Sequence, residues 1–360
     1  MNKLCNFLCV CLFLTSGNLI SQSKADSLEN ELDSVYIKRY SNNLSLKLNL
    51  NNAYHGFSVY DNGNLYADIR PNTSYNNSLS FNYRMFAYSY SFALNFIPGN
   101  NDNSIKGETK SKKHEINLIL DHLIIGAGYE KIQGFYLENT KDYVANWNES
   151  RDGYLILPDL HFYEISTTLG YRFNSNLSLR AHQSQTERQV KSAGSPLIFL
   201  YSQFYQADDR TTLTPTSTSQ KSNNLQMLFT VGYMYSLVLH RSIFLTAGIH
   251  PGAGFINTWL KTRYPAGDVN TSDITFIYGL QSSIGLGLNA EKLFFGGQLD
   301  FALINNNQTS SHTIANESLD YQIYLGYRFK APKLLIKLAN KTEEKMDQRP
   351  AFLDKKKKSD

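Results

Sequence analysis

The chain has 360 residues, 42% hydrophobic and 18% charged, with 24 Tyr, 21 Phe, only 2 Trp and a formal net charge of +4. Nine basic and five acidic residues lie in 331–360, so residues 1–330 carry twenty-six of each sign and the excess sits in the tail, which excludes a basic nucleic-acid-binding face on the main body. Mean hydropathy is negative, and no later apolar run reaches the roughly 18 residues a membrane helix needs, which excludes a helical membrane protein.

In chain order, Lys3, an apolar run from Leu4 to Leu14 and the small residues Ser23 and Ala25 predict a signal peptide over 1–25, cleaved after Gly17, Gln22 or Ala25. Cys5, Cys9 and Cys11 all fall within it, so the mature chain is expected to hold no disulfide, cysteine metal site or lipid anchor. A periplasmic lead over 26–43 follows. From Leu44 the pattern has a period of two. Leu44, Leu46, Leu48 and Leu50 alternate with Ser45, Lys47 and Asn49, and Leu79, Phe81, Tyr83 and Met85 alternate with Ser80, Asn82 and Arg84. A further run covers Tyr88 to Phe96, and more candidate strands begin near His114, Leu123, Tyr163, Leu177, Leu197, Leu225, Ile243, Ile274, Leu293 and Tyr321. The last run puts Tyr321, Ile323, Leu325, Tyr327 and Phe329 on one face and closes on an aromatic residue. Its end, Leu-Gly-Tyr-Arg-Phe, also occurs at Leu169 to Phe173, either as a second strand ending at the same interface or by coincidence of two alternating strands.

A soluble β-sandwich or lipocalin-like barrel also alternates, but its strands average about five or six residues, whereas many runs here carry about 9 to 13. The polar face is small and neutral, rich in Gly, Ser, Thr, Asn and Gln, which suits a lumen better than bulk water. The predicted fold is therefore all-β: an antiparallel transmembrane β-barrel over 44–330 of about 14 strands, within a range of about 12 to 16, depending on whether Asn62-Gly63-Asn64 is a hairpin turn or loop. Long connections are expected near Glu138 to Pro158, Ala207 to Asn223, Asn257 to Ser272 and Asn305 to Ser318, alternating with short turns such as Asn174 to Asn176 and His240 to Ser242. The alternation fails once, between Gln185 and Asn223. The remainder, 331–360, is a basic extension in which Leu334, Leu335, Leu338 and Ala339 can form a short amphipathic turn or two and Lys355 to Lys358 is a basic run.

With these phases, Lys47, Arg84, Glu130, Arg172, Arg180, His182, Asp300 and Arg328 are expected to line the lumen, either paired across it or along a wet path. Their excess of arginine favours anions should a pore exist. Loose catalytic materials occur, such as His161 near Asp159 and His312 between Ser311 and Thr313, but no spacing ties them into a catalytic group, and metal and nucleotide motifs are absent. No cofactor is expected. The sequence points to a bacterial outer-membrane barrel passing or binding a small solute, alternatively a scaffold for another envelope protein, and less readily a lipid- or peptide-modifying enzyme. Expected partners are outer-membrane lipid, the barrel-assembly machinery and a periplasmic partner for the tail, with no nucleic acid.

Five segments carry a family resemblance: Asp33-Ser-Val-Tyr-Ile-Lys-Arg-Tyr40, Gln133-Gly-Phe-Tyr-Leu-Glu-Asn139, Leu157-Pro-Asp-Leu160, Arg180-Ala-His-Gln-Ser-Gln and Lys191-Ser-Ala-Gly-Ser195. The chain resembles the outer-membrane-type β-barrels of Bacteroidetes grouped as domain of unknown function 4421. The resemblance covers most of residues 33 to 330 and implies an outer-membrane barrel with no assigned chemistry. Members of that family tend to end near the closing aromatic strand, and this chain runs about 30 residues past Phe329.

Overall fold

The computed structural model describes residues 35–52, 56–61, 64–306, 313–314 and 316–347. The signal segment, its cleavage positions, His312 and the Lys355 to Lys358 run lie outside these. Twelve antiparallel strands form a closed up-and-down barrel: β1 (Asn43–Asn51), β2 (Asn76–Tyr83), β3 (Phe86–Phe92), β4 (Lys110–Ile119), β5 (Leu123–Leu137), β6 (Leu155–Arg172), β7 (Ala193–Asp209), β8 (Ser219–His240), β9 (Ile243–Tyr264), β10 (Gly267–Asn289), β11 (Leu293–Asn306) and β12 (Asn316–Lys330). Each pairs with its neighbours in sequence, and β12 closes on β1 with Lys330 opposite Asn43 and Gln322 opposite Asn51. Closure leaves the barrel wall without a free edge.

The wall obeys the period of two. On β12, Ile323, Leu325, Tyr327 and Phe329 are exposed outward while Tyr324 and Arg328 are buried inward; on β1, Leu48 is exposed while Ser45, Lys47 and Asn49 are buried. The same outward belt continues through Phe229, Val231, Tyr233, Ile249, Ile284 and Leu286. Inside, glycines let large side chains lie flat. A Cβ on Gly326 would stand 2.2 Å from the Phe294 ring, and one on Gly170 would stand 2.5 Å from the Phe199 ring, so both positions need glycine.

The strand number is twelve, at the lower end of the expected range and below its centre of about fourteen. Of the predicted starts, Leu177 is not in the wall. Nor is the region about Asn62-Gly63-Asn64: the strands Phe57–Asp61 and Asn64–Arg70 form a hairpin that pairs with β5 beyond the barrel, at Ile69 opposite Leu137 and Arg70 opposite Tyr136, and the strand Thr313–Ile314 adds to it. Of the expected long connections, Asn257 to Ser272 is strand but for 265–266, and Ala207 to Asn223 shortens to 210–218. β8, β9 and β10 have 22, 22 and 23 residues, about twice what a tilted membrane strand needs. Alternation fades there because both faces of the projecting strands are exposed, as over Gly267 to Ile274 of β10. The tail forms a helix over Lys333–Asp347, longer than the predicted turn or two.

Candidate functional site

The irregular connection is not between Gln185 and Asn223, where the wall strand β7 lies, but at 173–192, where a short turn at Asn174 to Asn176 is expected, between β6 and β7 at the end of the barrel where the other connections are short. Asn174 starts it: its side-chain oxygen accepts the Asn176 N–H at 3.1 Å, a local turn that sends the chain back into the barrel. Leu177 and Leu179 alternate with Ser178 and Arg180 as a strand would, but both leucines are fully buried against the inward residues Ile119, Ile124, Ala193, Leu197 and Phe199. Burying two leucines contributes up to about 3 to 6 kcal/mol. The chain turns at His182 and Gln183 and returns to pair Glu187–Gln189 with the lead strand Ile37–Arg39. This plug fills the short-turn end of the lumen.

Two arginines clamp it. Arg328, 1% exposed, donates to the Gln185 carbonyl through Nε (2.9 Å) and Nη2 (2.6 Å) and also to the Ala290 carbonyl and the Asn289 side chain, with its guanidinium 3.9 Å from the centre of the Tyr40 ring. Arg172 donates to the carbonyls of Leu177 and Asp121. Both belong to the repeated Leu-Gly-Tyr-Arg-Phe, so its two copies end at the same rim and hold the same plug. Gln185 adopts a φ of 52°, uncommon for a non-glycine residue, and its carbonyl also accepts from Ser45 Oγ. Lys47 Nζ donates to the Gln183 carbonyl at 2.7 Å, and Asn289 donates to those of Ala181 and Glu187.

An ion-pair square completes the seal. Arg180 pairs with Asp121 and with Glu187 (2.9 Å), and Arg39 pairs with the same two acids at 3.2 Å each. Burial favours the neutral form of Asp121, but Arg180, Arg39 and Arg172 outweigh it and hold the carboxyl below the ordinary range. Burial pushes the His182 imidazole down to about 3. Both groups thus bind fewer protons docked than unfolded, so stability falls as pH falls. The His182 contribution is intact above about 6.5 and is lost progressively towards about 3; that of Asp121 is intact above about 3.9 and lost as pH drops through its lower folded value. Unfolding free energies from urea titrations in micelles are expected to decline between about pH 7 and 4, by at most about 1.4 kcal/mol per pH unit, and His182→Gln is expected to flatten that decline. An unchanged slope in the variant contradicts it.

Above the plug is a cavity of about 1070 Å³ reaching from His182 and Gln183 to Gly56, Asp68 and Arg70 at the opposite end. Six carboxylates line it (Asp68, Glu115, Glu130, Glu164, Asp300 and Asp320) against three cations, Lys47, Arg70 and Lys113, among the described residues. Lys113 lies opposite Glu130, Glu130 lies opposite Glu164, and Lys113 Nζ is 3.0 Å from Glu115.

The predicted lumen set therefore divides. Lys47, Glu130, His182 and Asp300 line the cavity; Arg172, Arg180 and Arg328 are spent on the plug beneath it. Arg84 departs from prediction: β2 ends at Tyr83, Arg84 takes a φ of 50° in the turn, and its guanidinium leaves the lumen for Glu343 (2.5 Å) and Asn340 (2.7 Å) on the tail helix. With those arginines spent on the plug and the tail helix, acids outnumber cations along the cavity. Sequence reading missed Glu115, Glu164 and Asp320, which continue the inward phase of β4, β6 and β12 and were legible by extending each alternation.

The model of the family described as a domain of unknown function, DUF4421, matches residues 31–329. The chain belongs to this family. Two of its resembling segments, 180–185 and 191–195, form the plug and its exit into β7. A search of curated proteins finds no significant match. Among solved structures, the chain is similar to the outer membrane protease OmpT of Escherichia coli (8% identity, 80% of this chain and 95% of that one, TM-score 0.38) and the COG4313 outer membrane channel of Pseudomonas putida F1 (12% identity, 80% and 96%, TM-score 0.37). It is also similar to Ail, the attachment invasion locus protein of Yersinia pestis (12% identity, 58% and 97%, TM-score 0.22). The first two are outer-membrane proteins.

Proposed function

We propose that this DUF4421 protein is a bacterial outer-membrane barrel whose lumen is a cup, open to the cell exterior and closed on the periplasmic side, that binds a small polar solute. The observation that carries this reading is the plug, whose leucine core and arginine clamps occupy the lumen at the end where β12 leads into the tail helix. The outward belt of Leu, Ile, Val, Phe and Tyr fits hydrocarbon, and the strand closing on Phe329 fits recognition by the barrel-assembly machinery. A second reading, passage after plug release, is favoured by one feature. Thr186 Oγ1 donates to the Arg84 carbonyl at 2.7 Å while Arg84 grips the tail helix, so a periplasmic partner pulling on the tail would load the plug.

Labelling tests the topology directly. The expected mature chain lacks cysteine, so Ser89→Cys, in the cavity, and Lys38→Cys, beneath the plug, can each be probed alone on cells with a membrane-impermeant maleimide. Ser89→Cys is expected to react in intact cells, and Lys38→Cys only after the outer membrane is permeabilised. The reverse order contradicts the cup.

A further inference from the structure

Beside the main cavity, between the plug tip and the wall from β7 to β12, lies a recess of about 350 Å³ with its own chemistry. Asp300 on β11 and Asp320 on β12 stand directly opposite in register, an arrangement that costs free energy when both are charged. Neither has an ion-pair partner among the described residues; Asp300 is met only by Gln298 Nε2, 2.8 Å from each oxygen. Two histidines line the same recess. His182 is 7% exposed and neither ring nitrogen has a hydrogen-bond partner among the described residues; His250 is 9% exposed and its Nε2 has none among them either. His250 is held over Gly232 and Gly248 with its ring edge to Phe199, 5.7 Å between centres, and Tyr201 completes an aromatic wall.

We propose that this recess is the cup's specific site and that it takes a small organic cation, a primary amine or guanidinium. The proposal rests on the binding-cup reading and names its ligand class. An ammonium would relieve the repulsion between Asp300 and Asp320, donate to an unsatisfied imidazole nitrogen, and lay its stem on Tyr201 and Phe199. No Lys or Arg lines the recess, which argues against an anion, and no group of three His, Cys, Asp or Glu with metal-holding geometry occurs among the described residues, which argues against a metal ion.

The test is calorimetric titration of the full mature protein in detergent with putrescine, and with glucose and succinate as neutral and anionic counterparts. Putrescine is expected to bind, and the isosteric D300N/D320N variant to lose about tenfold or more in affinity. Should that variant fail to fold, Q298K, which brings a lysine to the Asp300 carboxylate, is expected to abolish binding in a stable barrel. If putrescine binds equally well to wild type and to a folded variant, or if only glucose or succinate binds, the proposal is overturned while the cup stands. If no solute binds and the wild-type barrel conducts ions, the cup reading itself falls.

Discussion

Replacing Arg328 by alanine is expected to cost about 3–5 kcal/mol of barrel stability and to loosen the plug. The guanidinium is buried, donates to the carbonyls of Gln185 and Ala290 and to Asn289, and lies between the rings of Tyr40 and Phe294. Hydrogen bonds from a charged group contribute about 1.5–3 kcal/mol each, and truncation also leaves their acceptors buried without a donor. Lysine is expected to rescue little, because a single ammonium cannot span carbonyls that a planar fork reaches together. Urea unfolding in micelles, followed by the fluorescence of Trp147 and Trp259, measures the loss. An alanine variant within about 0.5 kcal/mol of wild type would mean that Arg328 is an ordinary surface-like position and not a clamp.

The wall of this barrel is legible in the sequence because its physics is local: one face meets an apolar exterior and the other a polar lumen, so each strand writes its own alternation. Twelve of the predicted starts lie in the twelve wall strands. What misled the reading also alternates for a different reason. Leu177 and Leu179 bury themselves in a core inside the lumen, and two residues of alternation cannot say which side of the wall the apolar face seeks. The projecting ends of β8, β9 and β10 escaped because a strand exposed on both faces has no alternation to read. The lumenal charges were partly legible. Phase alone puts Lys47, Glu130 and Asp300 inside, but it cannot tell that Arg172 and Arg328 spend their charge on backbone carbonyls of a segment folded beneath them, nor that β2 stops one residue before Arg84.

β6 and β7 pair up to Arg172 opposite Leu197, and the Phe173 N–H donates to the Pro196 carbonyl, so the two strands can be joined by a short turn once the intervening segment is removed. Excision of residues 176–189 with a Gly-Ser replacement leaves the wall intact and takes away Leu177, Leu179, Arg180, His182 and the Leu177 and Gln185 carbonyls that Arg172 and Arg328 hold. In the lumen that remains, the carboxylates of Glu115, Glu130, Glu164, Asp300 and Asp320 outnumber Lys47, Lys113 and the freed Arg172 and Arg328 by one, a margin that favours cations over anions.

Conductance in a planar bilayer, with wild type run beside the plug-excised variant, separates a plugged cup from an open pore. The wild-type barrel is expected to stay silent and the excised barrel to open in discrete, cation-preferring steps; a wild type that already conducts, or an excised barrel that remains closed, would contradict a plugged cup.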